Sequence, residues 1–167
     1  MSKASKHIKW CIDKANNEIK NGERRKGLVK INSDKELAAD YLKKAEHNLD
    51  AFVSNKKAKF YDWTISMGFY VMYHCFQAIL ARFSYESRNQ TCTFAVIESL
   101  LEDKKIDDSF RKYLDEMKSS ENKDDEILNM REKYQYTTII DIDVQKVEEL
   151  HRKCENMIKE TRGIISN

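Results

Sequence analysis

Ser66, Tyr70, Tyr73, His74 and Gln77 are related by steps of three and four residues on an otherwise apolar stretch, the spacing that brings side chains onto one face of a helix. His74 is the member whose type titrates near neutral pH, so it is the candidate to hold or move a proton. A polar stripe of this kind is either a hydrogen-bonded packing network or the wall of a cleft.

A second group, Arg131-Glu-Lys-Tyr134-Gln-Tyr136, closes a short helix that runs into Thr137-Thr138. Arg131 and Tyr134 share a face at a spacing of three. The planar guanidinium fork suits a phosphate, and tyrosine rings can stack on bases. Tyr136 would point about 140° away from Arg131 on an ideal helix of ~3.6 residues per turn, and joins it only if the helix unwinds there. The plainer alternative is a surface ion pair beside core aromatics.

Both groups need helices to position them, and the composition favours helices. The chain has 167 residues, with 41% hydrophobic, 35% charged, no proline and four glycines. Sheet-rich domains draw on glycine and proline for tight turns, so the shortage points to an all-α fold, and the length to one domain. The first helix is expected from about Ser5 to Lys20, with Ile8, Cys11, Ile12 and Ala15 at helical spacing and Asn21-Gly22 as its C-cap. A capping box, Ser33-Asp-Lys-Glu36, opens the next, which carries Leu37, Tyr41, Ala45, Leu49 and Phe52. The stretch from about Ala58 to Phe83 is apolar around most of its circumference and belongs at the centre of a bundle. Asn89 or Thr91 caps a helix with Phe94, Ile97 and Leu100, and Asp107 precedes another with Phe110, Tyr113 and Leu114. A polar break at Ser119 to Lys123 leads to a helix from Asp124 to Tyr134, and a last helix opens near Asp143. Residues 1–32 are expected to form a basic N-terminal helix and connector, and residues 33–167 the helical bundle.

Trp63 to Ala81 contains no Asp, Glu, Lys or Arg and nearly meets the ~18-residue criterion for a membrane helix. Its interspersed polar residues, and the amphipathic helices that need a central partner, argue instead for a soluble core with no membrane contact. Cys11, Cys92, Cys75 and Cys154 lie outside the short spacings of zinc knuckles and redox pairs. They are expected to be reduced, mostly buried thiols in a cytoplasmic protein, and no metal or cofactor is expected. Net charge is only +2, yet residues 1–30 hold nine Lys and Arg against three acids. That asymmetry suits either a basic arm or a solvated helix face.

The run Asp62-Trp-Thr-Ile-Ser-Met-Gly-Phe-Tyr-Val-Met-Tyr-His74, followed by Cys75 and by Ala78-Ile-Leu80, resembles the central-helix signature of HEPN domains. Tyr85-Glu-Ser-Arg-Asn-Gln90 is similar to a segment of small stand-alone members, and Arg131 and Tyr136 fall where the family's arginine–histidine motif is expected. The resemblance spans roughly Glu36 to Ile165. It implies an up-and-down bundle of four to five core helices, here with an N-terminal helical extension, often homodimeric, with the motif lining a cleft at the dimer interface.

Several HEPN families are metal-independent endoribonucleases and some are toxins paired with a nucleotidyltransferase; others lack the histidine and bind RNA or nucleotides. Here Tyr136 stands where the motif histidine belongs, and Gln90 where stand-alone members often carry another. Cleavage through an RNA 2′-hydroxyl needs a base that works near neutral pH, which phenols, ordinarily ionising near ~10, supply poorly. The resemblance therefore implies first a non-catalytic RNA- or nucleotide-binding module of a toxin–antitoxin or defence type. Its contacts would come from Arg131, Tyr134, Tyr136, Tyr70, Tyr73, His74, Gln77 and Gln90. The alternatives are an endoribonuclease using His74 and Arg131, or an interaction partner of a minimal nucleotidyltransferase.

Overall fold

The computed structural model describes residues 1–118 and 127–167, and 74% of these are helical. The chain runs α1 (Lys3–Lys20), β1 (Leu28–Lys30), α2 (Lys35–Lys57), α3 (Tyr61–Arg82), β2 (Tyr85–Ser87), α4 (Gln90–Glu102), α5 (Phe110–Met117), α6 (Ile127–Tyr136) and α7 (Val144–Ser166). The expected polar break at Ser119 to Lys123, and the expected helix start at Asp124, lie outside the described residues.

Thirteen of the 22 residues of α3 are buried, and its neighbours cover it from several sides. α2 lies along it as a helical hairpin, α7 packs on both α2 and α3, and α6 and α4 close further flanks. The hairpin is tight. α2 ends at Lys57 with Ala58 as its C-cap, Lys59 adopts a left-handed backbone with φ 63°, and α3 starts at Tyr61 rather than at the expected Ala58. α7 comes close to α3 because Gly68 carries no side chain: a Cβ there would sit 2.7 Å from Leu150 Cδ2. No described helix is long and apolar enough to cross a membrane.

The N-terminal segment packs against the far side of α4. α1 buries Ala4, Ile8, Cys11 and Ala15, one residue per turn, and contacts α4 and β1. β1 pairs antiparallel with β2, with Leu28 opposite Ser87 and Lys30 opposite Tyr85, a short ribbon that the helical reading did not include. Gly27 permits the approach of this ribbon to α1, since a Cβ would meet the Cys11 carbonyl oxygen at 2.8 Å. Arg25, from the basic connector, bonds Glu86 of β2 at 2.6 Å. The capping box also shifts by one residue: Asp34 accepts the Leu37 amide at 2.9 Å, while Ser33 Oγ donates to the Arg82 carbonyl.

The expectation of four reduced thiols is corrected at two of them. α1 crosses the first turn of α4, and Cys11 and Cys92, 81 residues apart, are joined in a disulfide with Cα atoms 6.0 Å apart. Spacing rules see only near neighbours in sequence, so a bond made by helix packing escapes them. Cys75 and Cys154 are free and buried, and burial pushes the Cys75 thiol up to about 12. The closed loop is long, and chain-entropy arguments put such a crosslink at about 2–4 kcal/mol. Metal-free protein treated with reductant is expected to lose that much stability in urea denaturation, and Cys92→Ser protein to show the same loss with or without reductant.

Candidate functional site

His74 sits two-thirds of the way along α3, half-buried against α2. Its Nδ1 lies 2.7 Å from the Tyr70 carbonyl oxygen and 3.1 Å from the Asn48 side-chain amide. So short a contact with a carbonyl requires the proton on Nδ1, which donates to the Tyr70 oxygen, while the Asn48 amide nitrogen lies beside the same ring atom. Nε2 is then the lone-pair nitrogen. Burial lowers the His74 pKa, the Tyr70 carbonyl opposes the shift, and the nearby Lys44 charge adds to it. His74 is therefore neutral at pH 7, with one nitrogen free to accept.

Three tyrosine rings surround the imidazole. Tyr41 of α2 stacks on it at 6.3 Å between centroids, Tyr73 meets it edge-on at 6.0 Å, and Tyr70 is tilted at 6.3 Å. Tyr70 is 41% exposed, so this face reaches solvent. Tyr41 and Asn48 belong to the site and went unrecognised in the sequence. The available signal was their spacing of seven on α2, two turns apart on the face that packs on α3.

The stripe on α3 does not stay together as one surface. Tyr73 and Gln77 turn toward α4, where Thr93 donates to the Asn89 carbonyl at 2.9 Å. The Thr93 oxygen therefore accepts from Tyr73 Oη at 3.4 Å and from Gln77 Nε2 at 3.3 Å. Gln77 Oε1 is buried without a partner among the described residues, so within them the network is only partly satisfied. Ser66 faces α6 and donates to Gln135 Oε1 at 3.3 Å. Gln90 opens α4, half-buried, and among the described residues no hydrogen bond ties it to His74.

Arg131 projects from α6 onto α3, its guanidinium carbon 4.5 Å from the centre of the Phe69 ring. Its Nε is buried and has no acceptor among the described residues. Phe69 in turn stacks parallel to Tyr73 at 6.3 Å, so rings connect Arg131 to His74, and no direct bond does. Tyr134 packs, partly buried, on the hydrophobic core. α6 continues through Tyr136 without unwinding, and Tyr136 is 71% exposed. Tyr136 is thus turned away from Arg131 within one protomer, outside the group that Arg131 and Phe69 form.

Residues 38–164 match the HEPN domain family profile. The chain belongs to the HEPN domain family. Comparison with curated proteins finds no match. The HEPN match starts at Ala38 in the first turn of α2 and stops inside α7, so α1, the basic connector and β1 lie outside it. Within this HEPN domain the signature run of α3 supplies His74, Tyr70, Tyr73 and Phe69, while α6 supplies Arg131.

The lowered pKa of His74 has a stability consequence. An unfolded imidazole ionises near ~6.5, and the folded one ionises lower, so in between the unfolded chain binds more protons. Stability is complete above the unfolded value and is lost as pH falls through the folded one. The urea midpoint of wild-type protein is expected to drop between about pH 7.5 and pH 5 by more than that of His74→Gln. Identical pH profiles would remove His74 from the buried, neutral role.

Proposed function

We propose that this HEPN domain is an RNA- or nucleotide-binding module that takes a phosphate on Arg131 and a base on the Tyr70–His74 face, without cutting. The observation that carries this reading is the buried Arg131 Nε, held over Phe69 and lacking an acceptor among the described residues. A buried donor left unpaired costs about 1–3 kcal/mol, which a phosphate oxygen would recover once a shift of the half-buried side chain opens Nε to it. The guanidinium is already fixed by the ring beneath it, so little ordering remains to be done on binding. Net charge of +2 suits a local pocket better than sequence-independent binding along many phosphates.

A second reading, metal-independent cleavage, has one observation in its favour. His74 is neutral with Nε2 unprotonated, the state a general base requires. Against it, Arg131 lies over Phe69 while His74 faces Tyr41 and Asn48, and the exposed Tyr136 replaces the expected histidine. Arg131→Ala should weaken binding of a fluorescently labelled RNA, followed by anisotropy, roughly 10- to 150-fold, the equivalent of ~1.5–3 kcal/mol for a hydrogen bond to a charged group. No cleavage is expected in EDTA. Tyr136→His is expected to add nuclease activity if the cleft is otherwise competent. Cleavage by wild-type protein that disappears in His74→Ala with the fold intact would put the enzyme first.

For assembly we infer a cytoplasmic homodimer that pairs through the end of α6. A groove of about 210 Å³ there is bounded by Trp63, Ser66, Tyr134, Ile139 and Ile140. Trp63 is 55% exposed and Ile140 69%, and contiguous exposed apolar groups mark contact surfaces. Pairing on this face places Tyr136 where a second copy can use it. Light scattering should give twice the 19.8 kDa chain mass at tens of micromolar, falling to one chain for Trp63→Asp with Ile140→Asp. A wild-type monomer under those conditions would sink the assembly.

A further inference from the structure

We propose that His7, Cys11 and Cys92 form a zinc site that is available when the two cysteines are reduced and closed when they are joined. The ligand atoms of the three residues all lie within 4.8 Å of one another. His7 and Cys11 are four residues apart on α1, so they share a face, and Cys92 meets them from the first turn of α4. Two thiolates on one tetrahedral ion at Zn–S ~2.3 Å sit about 3.8 Å apart, so the sulfurs, bonded to each other in the disulfide, must move apart on reduction to take up the ion.

The donor set decides the class of ion. Two thiolates and an imidazole are soft or borderline ligands that favour zinc over calcium or magnesium. Each thiol gives up a proton on binding, and two thiolates balance the charge of one Zn²⁺, so the buried centre carries no net charge. Cys11 and Cys92 are 0% and 1% exposed, where a neutral complex is far less costly to hold than a charged one. A cavity of about 440 Å³, lined by His7, Ala4, Thr91 and Phe94 among others, adjoins the site. It offers the ion an entry path on the His7 side and room for a water as the fourth ligand. Glu98 also lines this cavity, but its carboxylate is taken up by Arg111 at 2.9 Å and Lys118 at 2.5 Å.

The two states interconvert by thiol–disulfide exchange with a small-molecule disulfide. One cysteine thiolate attacks it and releases a thiolate; the other cysteine then attacks the mixed disulfide and releases a second. Two electrons pass to the small molecule, which leaves as two thiols, and the zinc departs with its ligands consumed. In a reducing compartment the dithiol form is the one that persists. Either state fastens α1 to α4, so the N-terminal helix stays docked whether the crosslink is sulfur–sulfur or through the ion.

Full-length protein reduced with a phosphine, stripped with chelator and desalted without oxygen is to be titrated with Co²⁺ and then Zn²⁺. One Co²⁺ per chain is expected, with a thiolate-to-cobalt band in the near ultraviolet and tetrahedral visible bands, all removed by one equivalent of Zn²⁺. The disulfide form and Cys92→Ser should show none of this. His7→Ala, a substitution at a partly exposed position, should weaken Zn²⁺ binding in a chelator competition roughly tenfold or more. If the reduced chain unfolds, recovery of helical circular dichroism on adding Zn²⁺ supports the site equally. No stoichiometric cobalt spectrum from reduced protein at tens of micromolar, or the same spectrum from Cys92→Ser, overturns it.

Discussion

Covering α3 is the constraint on which the rest depends. An isolated helix that is apolar nearly all round has no stable place in water, and each buried Leu-, Ile- or Phe-sized side chain contributes about 1.5–3 kcal/mol only when something packs over it. α2, α7, α6 and α4 all serve that end, and Gly68 lets α7 approach within contact of the α3 backbone. The polar side chains of α3 are then forced to find partners on whichever helix covers them. Asn48 from α2, Thr93 from α4 and Gln135 from α6 each answer one. The neutral state of His74 follows from the same burial, because the cover that stabilises the core also removes the water an imidazolium would need.

α4 links this centre to the segment outside the HEPN match. Thr93 touches the Tyr73–Gln77 side of α3, and its sequence neighbour Cys92 is bonded to α1 on the other side. β2 continues the same arrangement, its Glu86 held by Arg25 and its strand paired with β1. Part of the basic connector is therefore structural, because Arg25 is committed to an ion pair with only 11% of its side chain exposed. A basic arm free to wander over phosphates does not describe that residue.

The helices were legible because their signals are local. Apolar periodicity and capping residues placed α1, α4 and α7 to within two or three residues, since hydrogen bonding within a helix depends on near neighbours. The ribbon of β1 and β2 was not legible, because three-residue strands 57 positions apart pair only after α2 and α3 have turned the chain back. The disulfide was hidden for the same reason. In the site, His74, Tyr70 and Arg131 could be named from spacing and resemblance, yet their partners could not. Nothing in a polar stripe says that Tyr73 and Gln77 turn to α4 while His74 turns to α2. That division is decided by which neighbour packs on each side of α3.

The same division bears on binding against cutting. Cleaving a phosphodiester requires base and cation to converge on one group, with reacting atoms ~3–3.5 Å apart. Phe69, under Arg131, and His74 are five residues apart on α3, about 140° around a helix of ~3.6 residues per turn, so their side chains leave the axis in different directions. The Phe69–Tyr73 stack fills the space between. A single protomer therefore offers a cation and a neutral imidazole as two separate contacts, which suits a phosphate and a base of one bound strand. Bringing a base to any phosphate placed on Arg131 would require a group from outside this protomer's α3.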